Sequence, residues 1–410
     1  MSMASRSEPR LFWRSVPVII VAGCLIAVLN GGPRSTMGFF LTPMSSENGW
    51  GREVFALSIA IQNLVWGIGQ PFVGMLADRF GTARVLTIGT LLYVLGLVLM
   101  AQTSSPVTLQ FTAGVLIGLG IAGSAFILVM AAFARLLPEH LRTIAYGFGT
   151  AGSSVGQFIF APLGQGFIQW YGWQSALMIM AAIVLLVPIL AYVVRGKPKA
   201  VPTAPGKLDQ SIPEALREAF GHGSYRLLVL GFFVCGFQVA FIIVHLPPYL
   251  SDIGIPAIYA GYALGLIGLF NIIGSIGTGV LSGHMPRRWI LSALYLSRSV
   301  VVAAFILAPP STMSVLLFSV AMGILWLSTV PPTQALVAVM FGTRYVATLF
   351  GFAFLSHQVG SFLGVWLGGR LFDATGSYDI VWWISVALGI FAALVHLPIV
   401  EQPVPRPAVA

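Results

Sequence analysis

Two arginines lie inside long apolar stretches of the chain, where charged side chains are rare. Arg34 follows Asn30-Gly-Gly-Pro33, and Arg298 lies within Tyr295-Leu-Ser-Arg-Ser. None of the 12 Asp and Glu residues falls at the middle of an apolar stretch. A buried cation with no acid beside it is costly unless an anion binds it. Because a planar guanidinium can bind both oxygens of a carboxylate, the pattern predicts a site for a small organic anion.

Arg34 is the first candidate for the substrate-binding cation. Gly31, Gly32 and Pro33 lie at the same level and are expected to break the helix and free backbone groups for a site. The alternative is that Arg34 extends outward to the membrane surface. For Arg298, hydrogen bonds to backbone carbonyls are an equally good alternative to a role in substrate binding.

Other polar side chains at membrane depth are candidates to contact the same substrate. His357, next to Gln358, could carry a proton near neutral pH or hydrogen-bond an anion. His245 lies nearer the end of its stretch, which makes it the weaker candidate, and either imidazole could instead be a packed structural group. The remaining candidates are amides that could bind substrate or a neighbouring helix, namely Asn30, Gln238 and Asn271.

Membrane-spanning helices must position these side chains. The chain has 410 residues, 57% of them hydrophobic and 8% charged, with a mean hydropathy of +0.92. Soluble globular proteins carry about 25% charged residues, so the composition excludes a soluble fold, and it excludes a disordered chain. A membrane helix needs about 20 mostly apolar residues. Twelve stretches, numbered here as spans 1 to 12, qualify: 15–44, 53–76, 84–103, 106–134, 143–168, 173–194, 226–250, 257–282, 289–308, 312–340, 345–371 and 378–399.

A longer polar gap divides the spans into two groups of six. We predict six-helix bundles at 1–194 and 226–410, and a cytoplasmic linker at 195–225 that contains a short amphipathic helix. Span 1 is expected to be retained and not cleaved as a signal peptide. Most of the 21 basic residues lie in loops on one side, which puts both termini in the cytoplasm and the protein in the cytoplasmic (inner) membrane. This placement accounts for the net charge of +9 without a nucleic-acid partner.

The two groups of six spans are predicted to be copies of one another. Shifting the sequence by about 205 residues superimposes features of spans 1, 2 and 5 on spans 7, 8 and 11. The matched pairs include Pro43 with Pro248, Gly69 with Gly274, Gly74 with Gly279, Gly147 with Gly351, and Gly156 with Gly360. A duplicated bundle with a central site is typical of transporters that rock one half against the other. Glycines in spans 4 and 5 are expected to permit close helix contacts.

The loop between spans 2 and 3 carries a family resemblance. It reads Gly74-Met-Leu-Ala-Asp78-Arg79-Phe-Gly81-Thr-Ala-Arg84. This resembles the cytoplasmic signature loop of the major facilitator superfamily, G-x-x-x-D-R-x-G-x-x-R. The resemblance implies an all-α membrane protein with twelve transmembrane helices in two pseudo-symmetric six-helix bundles, the major facilitator fold. It also implies that Asp78 pairs with basic residues and latches the halves together, while a simple capped turn is the alternative.

A narrower resemblance covers nearly the whole chain. Its clearest segments are Asn30-Gly-Gly-Pro-Arg34-Ser, Gly38-Phe-Phe and Glu47-Asn-Gly-Trp50. They are similar to the monocarboxylate porter and oxalate/formate antiporter group, in which a functional cation stands at the position of Arg34. That group usually carries an Arg in span 8, often with an Asp one turn earlier. The aligned positions here hold Ser275 and Asn271.

The sequence predicts secondary active transport and not catalysis. It contains neither a phosphate-binding G-x-x-x-x-G-K loop nor a His/Cys cluster with metal-ligand spacing, so we expect no cofactor and no metal. The predicted protein is a monomer in the lipid bilayer that moves a small organic anion, such as a monocarboxylate, by alternating access. Coupling would be to protons, as in a symporter, or by exchange, as in an antiporter. The alternatives are efflux of a neutral or hydrophobic compound and a non-transporting membrane sensor.

Overall fold

The computed structural model describes residues 15–195, 210–342 and 345–404, except for the side chains of 78, 139, 143 and 144. This part of the chain is helical and contains no strand. Its helices long and apolar enough to cross a membrane are Val16–Asn48, Arg52–Ala77, Thr82–Met100, Pro106–Leu136, His140–Val193, Gly223–Asp252, Ala257–Leu281, Arg287–Leu307, Thr312–Phe341, Val346–Thr375 and Asp379–His396. The predicted orientation also uses basic residues within 1–14 and 196–209 and at 344 and 406, and these lie outside the described residues.

The run His140–Val193 contains both span 5 and span 6. Gly172 interrupts it with φ 79° and ψ 164°, outside helical geometry. This backbone conformation is strained for residues with a Cβ atom, so a glycine makes the turn between the two spans. The eleven apolar runs therefore correspond to the twelve predicted spans, and the predicted all-α membrane fold is confirmed.

Span 1 differs from its predicted form near the middle of the membrane. The helix Val16–Ser35 continues through Pro33, and the irregular segment is the 3₁₀ turn Met37–Phe40 that follows it. The predicted break at Gly31, Gly32 and Pro33 was therefore wrong. The helix ends later because the hydroxyls of Ser35 and Thr36 donate to the carbonyls of Gly32 and Pro33, at 2.6 and 2.7 Å. The Pro33 carbonyl also accepts the backbone N–H of Thr36 at 3.1 Å, so these side-chain bonds add to those of the last helical turn.

The linker between the halves is described only from residue 210. Ile212–Gly221 forms the predicted amphipathic helix and begins with a capping box between Ser211 and Glu214. One hydrogen bond from the backbone of Ser211 and one from its side chain lower the pKa of the Glu214 carboxyl. Span 7 then begins at Gly223, slightly before the predicted boundary at 226.

The two groups of six spans pack in matching ways. Span 1 packs on span 5, and span 7 packs on span 11. A Cβ atom on Gly156 would meet the carbonyl oxygen of Val28, and one on Gly360 would meet that of Phe233. These two pairs are related by the sequence repeat. Between the groups, span 2 packs on span 11 and span 5 on span 8, as a two-fold relation requires.

Among the described residues, the two groups are in contact near the middle of the spans and at one end. We call the end where Val16 begins span 1 the terminal end, and the opposite one the distal end. Gly67 of span 2 packs on Gln358 of span 11. A Cβ atom on Gly74 or Gly351, on the same faces but seven residues closer to the terminal end, would meet nothing within 4 Å. The space between the two groups therefore opens at the terminal end.

Candidate functional site

Arg34 lines a small cavity between the two groups of spans. Spans 1, 2 and 7 form its walls, with Met37, Ile59, Gln62, Asn63, Ala240, Ile243 and Val244. The Nη2 atom of Arg34 donates to Asn63 Oδ1 at 3.3 Å, and the guanidinium lies 4.4 Å from the centre of the Trp66 ring. No described Asp or Glu forms an ion pair with Arg34. The half-buried guanidinium therefore keeps donors for an anion that enters the cavity.

His357 and Gln358 of span 11 do not line this cavity, but Gln358 is bonded to Asn63, one of its wall residues. Gln358 Nε2 donates to the backbone oxygen of Asn63 at 3.1 Å, across the boundary between the halves. His357 Nδ1 lies 3.0 Å from Gln358 Oε1, and because an amide oxygen only accepts, Nδ1 carries the proton. Asn63 thus bonds Arg34 through its side chain and Gln358 through its backbone. Asn63, which sequence reasoning missed, therefore links Arg34 to Gln358, and His357 joins this chain only through its neighbour Gln358.

An aromatic path runs beside this polar one. The rings of Trp66 and Phe354 meet edge to face, with centroids 5.1 Å apart. Phe354 in turn stacks on His357 at 5.7 Å and 11°. Trp66 therefore contacts both Arg34 of its own half and Phe354 of the other half.

Asn271 lies at the second boundary, between spans 8 and 5. Its Nδ2 donates to Ser154 Oγ at 2.8 Å, and its Oδ1 accepts from the backbone N–H of Leu327 at 2.9 Å. Nearby, Gln157 donates to the carbonyl of Leu264 at 2.9 Å. Asn271 therefore joins the two halves and accepts a hydrogen bond from the irregular stretch of span 10, and it does not line the cavity around Arg34.

Arg298 has a structural environment. The residue is fully buried, and span 10 is interrupted beside it between Leu325 and Val330. All five N–H donors have acceptors in the carbonyls of Leu325 and Trp326, the sulfur of Cys235 and the amide oxygen of Gln238. Nothing is left for a substrate. Arg298 therefore donates to the backbone carbonyls that the break in span 10 leaves without helical partners. This is the structural alternative that the sequence had left open.

Three further candidates are also engaged within one half. Gln238 accepts from Arg298 and donates to the carbonyl of Ser385 at 3.0 Å. Asn30 donates to Ser124 Oγ of span 4. The fully buried His245 bonds a carbonyl of span 11 and a tyrosine hydroxyl at the distal end. None of the three lines the cavity around Arg34.

The signature loop lies at the terminal end, where the two halves are apart. Gly81 has φ 91° and ends the helix of span 2, which explains a glycine at that position. Arg79 is exposed and lies over the ring of Phe80, and Arg84 is exposed. The side chain of Asp78 lies outside the described part of the chain. The predicted latch through Asp78 therefore stays a prediction.

A charged cluster that the sequence reasoning did not single out joins the halves at the distal end. Asp252 accepts two hydrogen bonds from the guanidinium of Arg52, at 2.7 and 2.8 Å. Asp373 accepts from the backbone N–H groups of Arg52 and Glu53, which begin span 2, at 2.9 and 2.8 Å. Glu53 in turn accepts from Trp366 and pairs with Arg370 at 3.2 Å. We call these residues, with Tyr378, the distal cluster.

The distal cluster pairs acids and bases across the boundary in both directions. Arg52 and Glu53 belong to the first half, and their partners on spans 7 and 11 belong to the second. The sequence does contain a sign of this cluster. Arg52 and Arg370 are the basic residues at the span ends on the side opposite to the termini, where few charges lie. With charged contacts at one end and an opening at the other, the molecule has the shape of a transporter open to one side of the membrane.

Comparison with known proteins agrees with this fold. The family model described as Major Facilitator Superfamily matches residues 23–365. "Uncharacterized MFS-type transporter YcxA" of Bacillus subtilis (strain 168) is 23% identical over 407 residues, covering 97% of each chain. "Monocarboxylate transporter 13" of Rattus norvegicus is 27% identical over 405 residues, covering 96% of this chain and 92% of that protein. "Monocarboxylate transporter 4" of the same species is 26% identical, with 92% and 82% covered.

Solved structures share the fold at low sequence identity. A bacterial homologue of the human lysosomal transporter Spinster, in an inward-facing and unoccupied conformation, superimposes with a TM-score of 0.76 at 16% identity, over 95% of this chain and 98% of that one. A D-xylose-proton symporter gives a TM-score of 0.72 at 17% identity, over 94% and 98%. The chain belongs to the Major Facilitator Superfamily and is a multi-pass membrane transporter.

Proposed function

We propose that this transporter carries a small organic anion, with Arg34 as the residue that binds its carboxylate. The observation that carries the proposal is the guanidinium of Arg34 in the cavity between the halves, with neutral partners only, Asn63 and Trp66. A carboxylate would supply the missing negative charge and could accept two parallel hydrogen bonds. Relatives named monocarboxylate transporters support the same substrate class.

The cavity now has room for about one water molecule, about 10 Å³, so a solute must displace its walls to enter. Its wall residues favour a solute with one charge and a small apolar body. The walls besides Arg34 are the amides of Gln62 and Asn63 and apolar side chains from spans 1, 2 and 7. A second carboxylate would have no second cation there, because Arg298 is fully engaged elsewhere. We therefore favour a monocarboxylate over a dicarboxylate.

Transport would follow by alternating access. If the termini are cytoplasmic, as the distribution of basic residues predicts, the structure is the inward-open state and the distal cluster closes the external side. A substrate on Arg34 would compete with Asn63 and Trp66 for the guanidinium, and Asn63 is bonded to Gln358 of the other half. Proton coupling would use His357, which lies on this same path, and anion exchange would need no titrating group.

Flux measurements in proteoliposomes test the proposal. The purified transporter is assayed with a panel of labelled mono- and dicarboxylates and uncharged analogues, with and without a pH gradient. We expect saturable monocarboxylate flux that Arg34→Ala abolishes and Arg34→Lys partly restores. Arg217→Ala, which removes an exposed arginine of the linker helix, is the matched control and should transport normally.

Two outcomes would overturn the proposal. Carboxylate flux unchanged in Arg34→Ala would remove the electrostatic argument. Flux of uncharged compounds alone would favour the alternative, a carrier of neutral or hydrophobic solutes. A coupling role of His357 is tested separately with His357→Gln, which should retain exchange and lose the response to the pH gradient.

A further inference from the structure

His245 is a buried imidazole that the proposed transport site does not use. It lies on span 7 and is fully buried against Gly368 of span 11. Its Nε2 atom lies 2.7 Å from the carbonyl oxygen of Val365, and its Nδ1 atom lies 3.2 Å from the hydroxyl of Tyr378. The same hydroxyl lies 3.0 Å from Nη1 of Arg52, in the distal cluster. His245 is thus joined to the residue that holds the halves together at that end.

The chemistry of the groups fixes the direction of every hydrogen bond in this chain. Arg52 can only donate, so the oxygen of Tyr378 accepts from it. The carbonyl of Val365 can only accept, so Nε2 of His245 carries the proton. The hydroxyl hydrogen of Tyr378 is then free to point at Nδ1 of His245, which accepts it. The complete chain therefore requires a neutral imidazole with a single proton on Nε2.

We propose that His245 is a positioning residue for the distal cluster: through Tyr378 its neutral ring holds Arg52 in the closed arrangement, and a second proton on the ring weakens that arrangement. A proton on Nδ1 would leave Nδ1–H and the tyrosine O–H as two donors facing each other. The hydroxyl must then turn away, and two cations, His245 and Arg52, converge on one oxygen. Protonation therefore favours opening at the distal end, whatever solute is carried.

The charged surroundings of His245 are those of the distal cluster. Span 2 contributes Arg52, and the segment between spans 11 and 12 contributes Tyr378. Asp252 on its own span and Asp373 on span 11 both face Arg52 and not the imidazole. Span 11 presents the uncharged Gly368 and Val365 to the ring. No described acid contacts His245, so an added proton has no counter-charge beside it.

The test measures opening at the distal end directly and needs no substrate. Spin labels are attached to Ser46→Cys and Ala374→Cys, which are exposed on opposite halves, in a Cys24→Ala, Cys235→Ser background. Distances are recorded in lipid nanodiscs between pH 8 and pH 5.5. We expect the long-distance population to rise on acidification by up to about fivefold, the full change that the loss of one hydrogen bond of about 1 kcal/mol produces.

Three variants decide the outcome. His245→Gln can accept from Tyr378 and donate to Val365 without titrating, and should stay closed across the whole range. Tyr378→Phe should be more open at every pH. His396→Gln, which replaces another buried imidazole bonded to Ala392 in its own helix, is the matched control and should respond as the parent does. An unchanged pH response in His245→Gln, or no response in the parent, would overturn the proposal.

Discussion

Breaking the ion pair between Arg52 and Asp252 should shift the transporter toward a distal-open state. The side chains are 15% and 34% exposed, so the pair is partly screened and contributes up to about 1 kcal/mol. Arg52 also lies 3.7 Å from the ring centre of Phe372, a contact that contributes about 1 kcal/mol more. Arg52→Ala also removes the hydrogen bond to Tyr378, worth about 1 kcal/mol, so it should cost the closed state about 3 kcal/mol, a roughly 150-fold change in the ratio of closed to open molecules. Asp252→Asn should cost about 1 kcal/mol, or roughly fivefold.

A double-mutant cycle separates the ion pair from the other contacts of Arg52. The two single variants and the double variant carry the spin labels at positions 46 and 374, and the closed and open populations give each free-energy difference. We expect a coupling energy of about 1 kcal/mol between Arg52 and Asp252. Arg217→Ala is again the control with no expected effect. Unchanged populations in both single variants, or strictly additive effects, would refute the idea that this pair holds the distal end closed.

Three further predictions concern packing, burial and pH. Gly360→Ala should lower the free energy of unfolding by at least about 2 kcal/mol in a thermal-shift assay, because its Cβ atom would meet the backbone of span 7. The control Gly351→Ala faces open space and should change the free energy of unfolding by under about 0.5 kcal/mol. Arg298→Lys should destabilise the protein by about 3 kcal/mol, since one ammonium cannot reach all the acceptors of the guanidinium, and an unaltered melting temperature would contradict this. The lowered pKa of Glu214 means that its cap on the linker helix is present near neutral pH and is lost as pH falls through that pKa. Amide exchange at Ser211 can follow this loss, and equal protection at neutral pH and at a pH below that pKa would contradict it.

Apolar length and internal repeats were enough to predict the fold, because a membrane leaves few ways to satisfy a backbone. The spans, the duplication and the family could all be predicted from the sequence. The end of the helix in span 1 could not, because it depends on the hydroxyls of Ser35 and Thr36 bonding nearby carbonyls. Sequence spacing marks Pro33 as a helix breaker, whereas the helix continues through it to Ser35.

The candidate site was predicted in part, for a physical reason. Arg34 stands out because a charge in an apolar span is rare. Arg298 stands out equally, and only the structure shows that the broken helix of span 10 occupies its donors. Asn63 was missed because an amide in a span is common, and its importance comes from two contacts with residues far away in the chain. The partner of a polar group is a property of the packing and not of its sequence neighbourhood.

The central claim is that Arg34 recognises the negative charge of the solute. The most direct measurement compares binding of the best-transported carboxylate and of its uncharged amide analogue to the parent protein and to Arg34→Ala. Since a hydrogen-bonded charge contributes about 1.5–3 kcal/mol, the parent should prefer the acid by roughly 10-fold to 150-fold. Arg34→Ala should bind both compounds about equally. The same acid preference in the parent and in a folded Arg34→Ala variant would contradict the account.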